Sequence, residues 1–144
     1  MRVLLAQLTP VPGDVEGNLE RLRAAVRAAP SDLAVFPELF LSGYRIGDRV
    51  HRLALREDDR TVAALRTVAE KAKTTVVVGA PVASRERLGE VHNAALGIAP
   101  TGELRVQVKR YLPTFGPFEE GIQFTPAERS VAVTLAGTKV GLQV

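Results

Sequence analysis

The chain has 144 residues, enough to bury a real core within one domain, and its 46% hydrophobic and 24% charged residues exclude a disordered polymer. A net charge of +3 comes from 19 basic and 16 acidic side chains that are scattered, without the basic stripe and interleaved aromatics that nucleic-acid binding uses. The lack of cysteine excludes disulfides and cysteine-based metal sites, the histidines His51 and His92 are too few and too distant for a zinc site, and no apolar run reaches the length of a membrane span.

The opening MRVLLAQLTP is too short in its apolar run for a signal peptide, with Gln7 interrupting it, and residues 2–8 read instead as a buried first strand. After the turn TPVPGD, Asp14 is placed to cap a helix whose apolar positions Leu19, Leu22, Val26 and Ala29 recur at helical spacing until Pro30 stops it. Residues 33–36, LAVF, form a short strand ended by Pro37. The stretch LFLSGYRIGDRV reads as irregular, broken by Gly43 and Gly47. Asp58 and Asp59 open a second helix with Val62, Leu65, Ala69 and Ala72 on its apolar face, and TTVVVGAPV is a β-branched buried strand. VHNAALGIAP and GELRVQVKRYL flank Pro100, Thr101 and Gly102 as a hairpin; SVAVTL and KVGLQV flank Ala136, Gly137 and Thr138 as another. Strands alternating with helices and then hairpins predict an α/β layered fold with helices packed on a sheet, in a cytoplasmic protein.

Three places suggest chemistry. Glu38 follows directly on a buried strand and Pro37, where α/β sheets carry their sites. Position alone favours a strand-end glutamate in water, whereas the apolar LFLSGY after it favours a partly buried carboxylate suited to general-base work. Strict alternation in ELRVQVK puts Lys109 with Arg105 and Gln107, opposite Leu104, Val106 and Val108, which reads as a solvated lysine. Against that, the rigid aromatic YLPTFGPF follows, and an ammonium fixed beside Tyr111, Phe115 and Phe118 would stabilise developing negative charge. The adjacent Glu119 and Glu120 are either a charged turn or partners for Lys109.

FPELFLSGY, KRYLPTFGPFEEG and the closing GTKVGLQV resemble, in order, the three signature regions of the carbon–nitrogen hydrolase (nitrilase) family, and VLLAQLTPVPGDVEGNLERL and HNAALGIAPTGEL fit the same pattern. The resemblance implies an α-β-β-α sandwich and a Glu–Lys–Cys site acting through a thioester on a small amide, nitrile or carbamoyl substrate. It makes Glu38 the general base, Lys109 the stabiliser of the tetrahedral intermediate and Glu120, with Glu119 competing, the orienting acid. It also implies assembly as a homo-oligomer, while the sequence itself, with no phosphate-cradling glycine loop, ligand cluster, basic stripe or long apolar run, leads us to expect no organic cofactor, no metal and no nucleic-acid or membrane partner. The family's cysteine follows a strand like KVGLQV, so residues 1–144 are expected to form a single but partial domain, an N-terminal portion that lacks the nucleophile and is inactive and prone to self-association alone. A non-catalytic binding module on this scaffold is the rival expectation. IGDRVHRLALRED either lines the entrance or is solvated.

Overall fold

The computed structural model describes residues 1–129, 132–135 and 138–144. In chain order the elements are β1 (Val3–Leu5), α1 (Val15–Ala28), β2 (Leu33–Val35), α2 (Val50–Leu53), α3 (Arg60–Ala72), β3 (Thr75–Ala83), β4 (Val91–Ile98), β5 (Leu104–Val108), α4 (Glu120–Gln123), β6 (Ala132–Leu135) and β7 (Thr138–Gly141). The first five strands form one sheet in the order β1-β2-β3-β4-β5, and β6 pairs with β7 in a second, two-stranded sheet. The pairs β1–β2 and β2–β3 are parallel, joined by helical crossovers, whereas β3–β4 and β4–β5 are antiparallel.

The helices form where the sequence supplies both a cap and an apolar stripe. The Asp14 carboxylate accepts from the Gly17 N–H at 2.9 Å, satisfying one of the free donors at the start of α1. Leu19, Leu22 and Val26 then face inward, as the spacing predicts, and the helix ends two residues before Pro30. In α3 the buried positions are Thr61, Val62, Leu65 and Ala69. Ala72, expected on that face, is exposed, because the helix is in its last turn and the chain leaves through Lys73 at φ 51. Both apolar stripes join Ala34, Val76, Val78, Leu96 and Ile98 in one core. The other face of the sheet offers Val77 and Ala95, which pack with Leu142 beyond β7. Helices therefore cover one face of the large sheet, and the chain following the small sheet reaches the other.

Several elements are shorter than the sequence suggests. β1 stops at Leu5 because Ala6 donates one further bond to Val35 O before Gln7 and Leu8 turn back on Leu5 O and Ala6 O. The stretch expected to be irregular holds a 3-10 turn (Gly47–Arg49) leading into α2, seated by the buried Ile46 and Val50. In the last hairpin Thr138 lies in β7, opposite Leu135, rather than in the turn; Ala136 and Gly137, expected there, lie outside the described residues, as do Ser130 and Val131.

Asn18 is a fully buried amide on α1, and it holds two loops in place. Its Nδ2 donates to Val11 O (2.8 Å) and Leu41 O (3.1 Å), and its Oδ1 accepts from Val11 N (2.8 Å). Asn18→Leu would leave three backbone groups without these partners. The expected loss is on the order of 3 kcal/mol, since each buried orphan costs about 1–3 kcal/mol. Urea unfolding of the variant measures it.

Candidate active site

Glu38 owes its position to a β2 strand that runs on alongside β3. Phe36 N donates to Val77 O (2.8 Å), Gly79 N to Pro37 O (3.2 Å) and Leu41 N to Gly79 O (3.1 Å). The chain turns at Leu39, which takes a left-handed φ of 50 and whose carbonyl accepts from Gly43 N at 2.7 Å. A non-glycine residue pays for that conformation, and here full burial of the Leu39 side chain offsets it. Glycine at 79 is what lets the two segments meet. A Cβ there would lie 2.7 Å from Glu38 Cα and closer still to Leu39 N.

Lys109 is the first residue past β5. Its N–H donates to Asn93 O (2.8 Å) and its carbonyl accepts from Ala127 N (2.9 Å), which pins the backbone on both sides. Alternation does place it with Gln107, but the expectation of a solvated lysine is wrong. Gln107 and Lys109 are both buried, and only Arg105 at the far end of that face is exposed. Nor do aromatic rings fix the ammonium. Tyr111 and Phe115 are exposed, and Phe118 packs edge-on to Tyr44.

Two carboxylates hold the ammonium instead. Lys109 Nζ donates to Glu38 Oε1 at 2.6 Å and to Glu120 Oε1 at 3.0 Å, and Glu120 Oε2 also lies 3.0 Å from it. Glu119 is exposed and makes no ion pair with Lys109 among the described residues, so it is Glu120 that the fold turns inward. Tyr44 donates its hydroxyl to Glu120 Oε1 at 2.6 Å, and Asn93 Nδ2 donates to Glu38 Oε1 at 2.6 Å. The Glu120 side chain is 4% exposed and that of Lys109 10%, whereas Glu38 at 35% opens to the surface. Lys109 and Val144 line one small crevice.

Burial alone would depress the Lys109 pKa, but its hydrogen bonds to Glu38 and Glu120 and their charges outweigh that and raise it above the ordinary lysine value. Burial, the bond to Glu120 and the charges of Glu120 and Glu38 raise the Tyr44 pKa strongly, keeping the phenol a donor. Because the folded Lys109 pKa exceeds the unfolded one, its pairing stabilises the fold fully below the ordinary lysine value of about 10.4 and ceases to as pH rises through the folded value. Thermal melts taken from about pH 9 upward should therefore show an alkaline loss of stability that is smaller in Lys109→Met, where only the raised Tyr44 pKa still contributes to it.

Tyr44 and Asn93 are members of this cluster that residue-by-residue reading passed over. The signal for Asn93 is an amide inside the otherwise apolar strand HNAALGI; for Tyr44 it is a hydroxyl at the close of the apolar LFLSGY. The cluster combines a fixed, charged donor with a carboxylate that reaches the surface, an arrangement suited to stabilising an oxyanion while moving a proton.

Residues 2–144 match the family model described as carbon–nitrogen hydrolase. A glutamine-dependent NAD(+) synthetase of Thermotoga maritima is 38% identical over 148 aligned residues, which cover 100% of this chain and 25% of that protein. A protein of Pseudomonas protegens called "Hydrolase in pqqF 5'region" is 36% identical, with 100% of this chain and 50% of that one covered. Among solved structures, an amidase variant from Nesterenkonia sp. AN1 that carries acrylamide, added by Michael addition, at its active-site cysteine superposes with a TM-score of 0.82 and 26% identity, over 99% of this chain and 56% of that one. The chain thus spans half or less of the length of the curated relatives named here.

Proposed function

This chain belongs to the carbon–nitrogen hydrolase family, and from that premise we propose that it supplies the acid–base and charge-stabilising residues of a hydrolase acting on small carboxamides. The observation that carries the proposal is the Lys109 ammonium held between Glu38 and Glu120 at 2.6 and 3.0 Å. The relatives support an amide over other substrates: one is a glutamine-dependent enzyme and another an amidase.

In this reading Glu38 is the general base, Lys109 the stabiliser of the oxyanion and Glu120 the acid that keeps Lys109 charged and aimed. The 144 residues contain no cysteine, so the thiol nucleophile is contributed from outside them. The Glu38 carboxylate takes the thiol proton as sulfur attacks the amide carbon, and the resulting oxyanion faces the Lys109 ammonium. When the tetrahedral adduct collapses, the C–N bond breaks and Glu38 returns the proton to the leaving ammonia. Water then adds to the thioester while Glu38 takes its proton. The C–S bond breaks, the carboxylic acid leaves, and the thiol is restored. Tyr44 stays protonated throughout, so Glu120 keeps its second donor.

The test is ammonia release from glutamine and simple aliphatic amides by the complete gene product. Turnover above the uncatalysed rate supports the proposal. A folded product that releases no ammonia from any amide or nitrile would instead favour a non-catalytic module on this scaffold.

A further inference from the structure

Asn93 carries an inference beyond the three charged residues. Its side chain is fully buried on β4, and Nδ2 makes its hydrogen bond to Glu38 Oε1 at 2.6 Å. Its Oδ1 is buried without a hydrogen-bond partner among the described residues. A buried amide with one half unmet is a net burden on stability, so the amide contributes nothing that an apolar side chain in the same strand would not, apart from its bond to Glu38. The same residue's backbone carbonyl accepts the Lys109 N–H at 2.8 Å. Asn93 therefore touches Glu38 with its side chain and Lys109 with its main chain, and it sets the spacing between them.

We infer that Asn93 is a positioning residue that decides which oxygen of Glu38 does the chemistry. Oε1 accepts from both Asn93 Nδ2 and Lys109 Nζ, whereas Oε2 has no donor among the described residues. Two donors converging on one oxygen, one from β4 and one from the residue that follows β5, fix the rotation of the carboxylate about its last bond. Lys109 alone, at the tip of a flexible four-carbon stem, would not. Oε2 is left as the oxygen free to accept a proton. This rests on the reading of Glu38 as the general base.

The experiment uses the complete gene product and ammonia release from an amide that the unaltered protein hydrolyses. Asn93→Leu keeps the branched four-heavy-atom skeleton of the side chain and removes the donor. It is expected to lower kcat about 10²-fold, the loss typical of a misplaced catalytic group. KM should stay within about twofold and the melting temperature should not fall, because the lost amide also held the unmet Oδ1. In crystals of the variant the Glu38 carboxylate should rotate away from its present orientation, a readout independent of turnover. An active protein in which a folded Asn93→Leu leaves kcat intact, or raises KM as much as it lowers kcat, overturns the inference alone. An inactive unaltered protein overturns the proposed function with it. Should the leucine variant fold poorly, Asn93→Ser, smaller and too short to reach Oε1, must give the same kcat loss and the same carboxylate rotation.

Discussion

Lys109→Met is expected to lower the unfolding free energy by about 3–5 kcal/mol and amide turnover by about 10²–10³-fold together. Methionine replaces the aliphatic stem of lysine but not the ammonium. Glu120, its side chain 4% exposed, would lose its cation while Glu38 stays beside it. An unpaired buried carboxylate is the costly outcome of breaking such a pair, far more so than the loss of the attraction itself. A surface control separates the two cases. Arg87→Met breaks the pair with Glu90, whose side chains are 72% and 28% exposed. That pair should be worth no more than about 1 kcal/mol. Urea unfolding of both variants decides the matter. Equal losses would mean that the Lys109 pair is not shielded from water.

Gly79→Ala should be nearly as damaging despite adding only one methyl group. The new Cβ would fall 2.7 Å from Glu38 Cα, against backbone that cannot step aside as a flexible side chain would. Overpacking of this kind costs about 1–3 kcal/mol, and the backbone bonds of Gly79 to Pro37 and Leu41 would be strained as well. The loop that carries Glu38 is what must move, and displacing a catalytic group by about 1 Å can cost about 10²-fold in rate. Turnover should therefore fall much further than stability. A Gly79→Ala protein with normal kcat would show that the loop tolerates the shift. The neighbouring Ala80, fully buried, points to the opposite face of the sheet, so Ala80→Gly is a control that should weaken the fold without touching Glu38.

What the sequence made legible was the regular part of the fold. The apolar stripes of α1 and α3, the Asp14 cap, Pro30 as a stop and the β-branched run from Thr74 are all local signals, and each element formed within a residue or two of where they lie. The resemblance to signature regions singled out Glu38, Lys109 and Glu120, and the fold brings all three side chains together. Residue-level reading alone went wrong at Lys109 because alternation tells which face a side chain takes, not which face is covered. The cover comes from α4 and the loop after β2, neither of which is visible from β5. Asn93 escaped for a related reason. A single amide in an apolar strand has no partner within its own segment, so its role appears only when Glu38 arrives beside it. Glu119 and Glu120 could not be told apart by spacing, and the short α4 decides between them by burying one and exposing the other.

The contacts that join the cluster bridge long stretches of chain: Lys109 and Glu38 are 71 positions apart, Tyr44 and Glu120 are 76, and Asn93 and Glu38 are 55. Loop closures of that size are slow and entropically expensive, and the full set cannot be made while any one of the segments that supply it is still loose. Competence for proton transfer must therefore arrive late, after the helices have formed and the strands have found their register. Partial unfolding would silence such a protein well before it lost its helices.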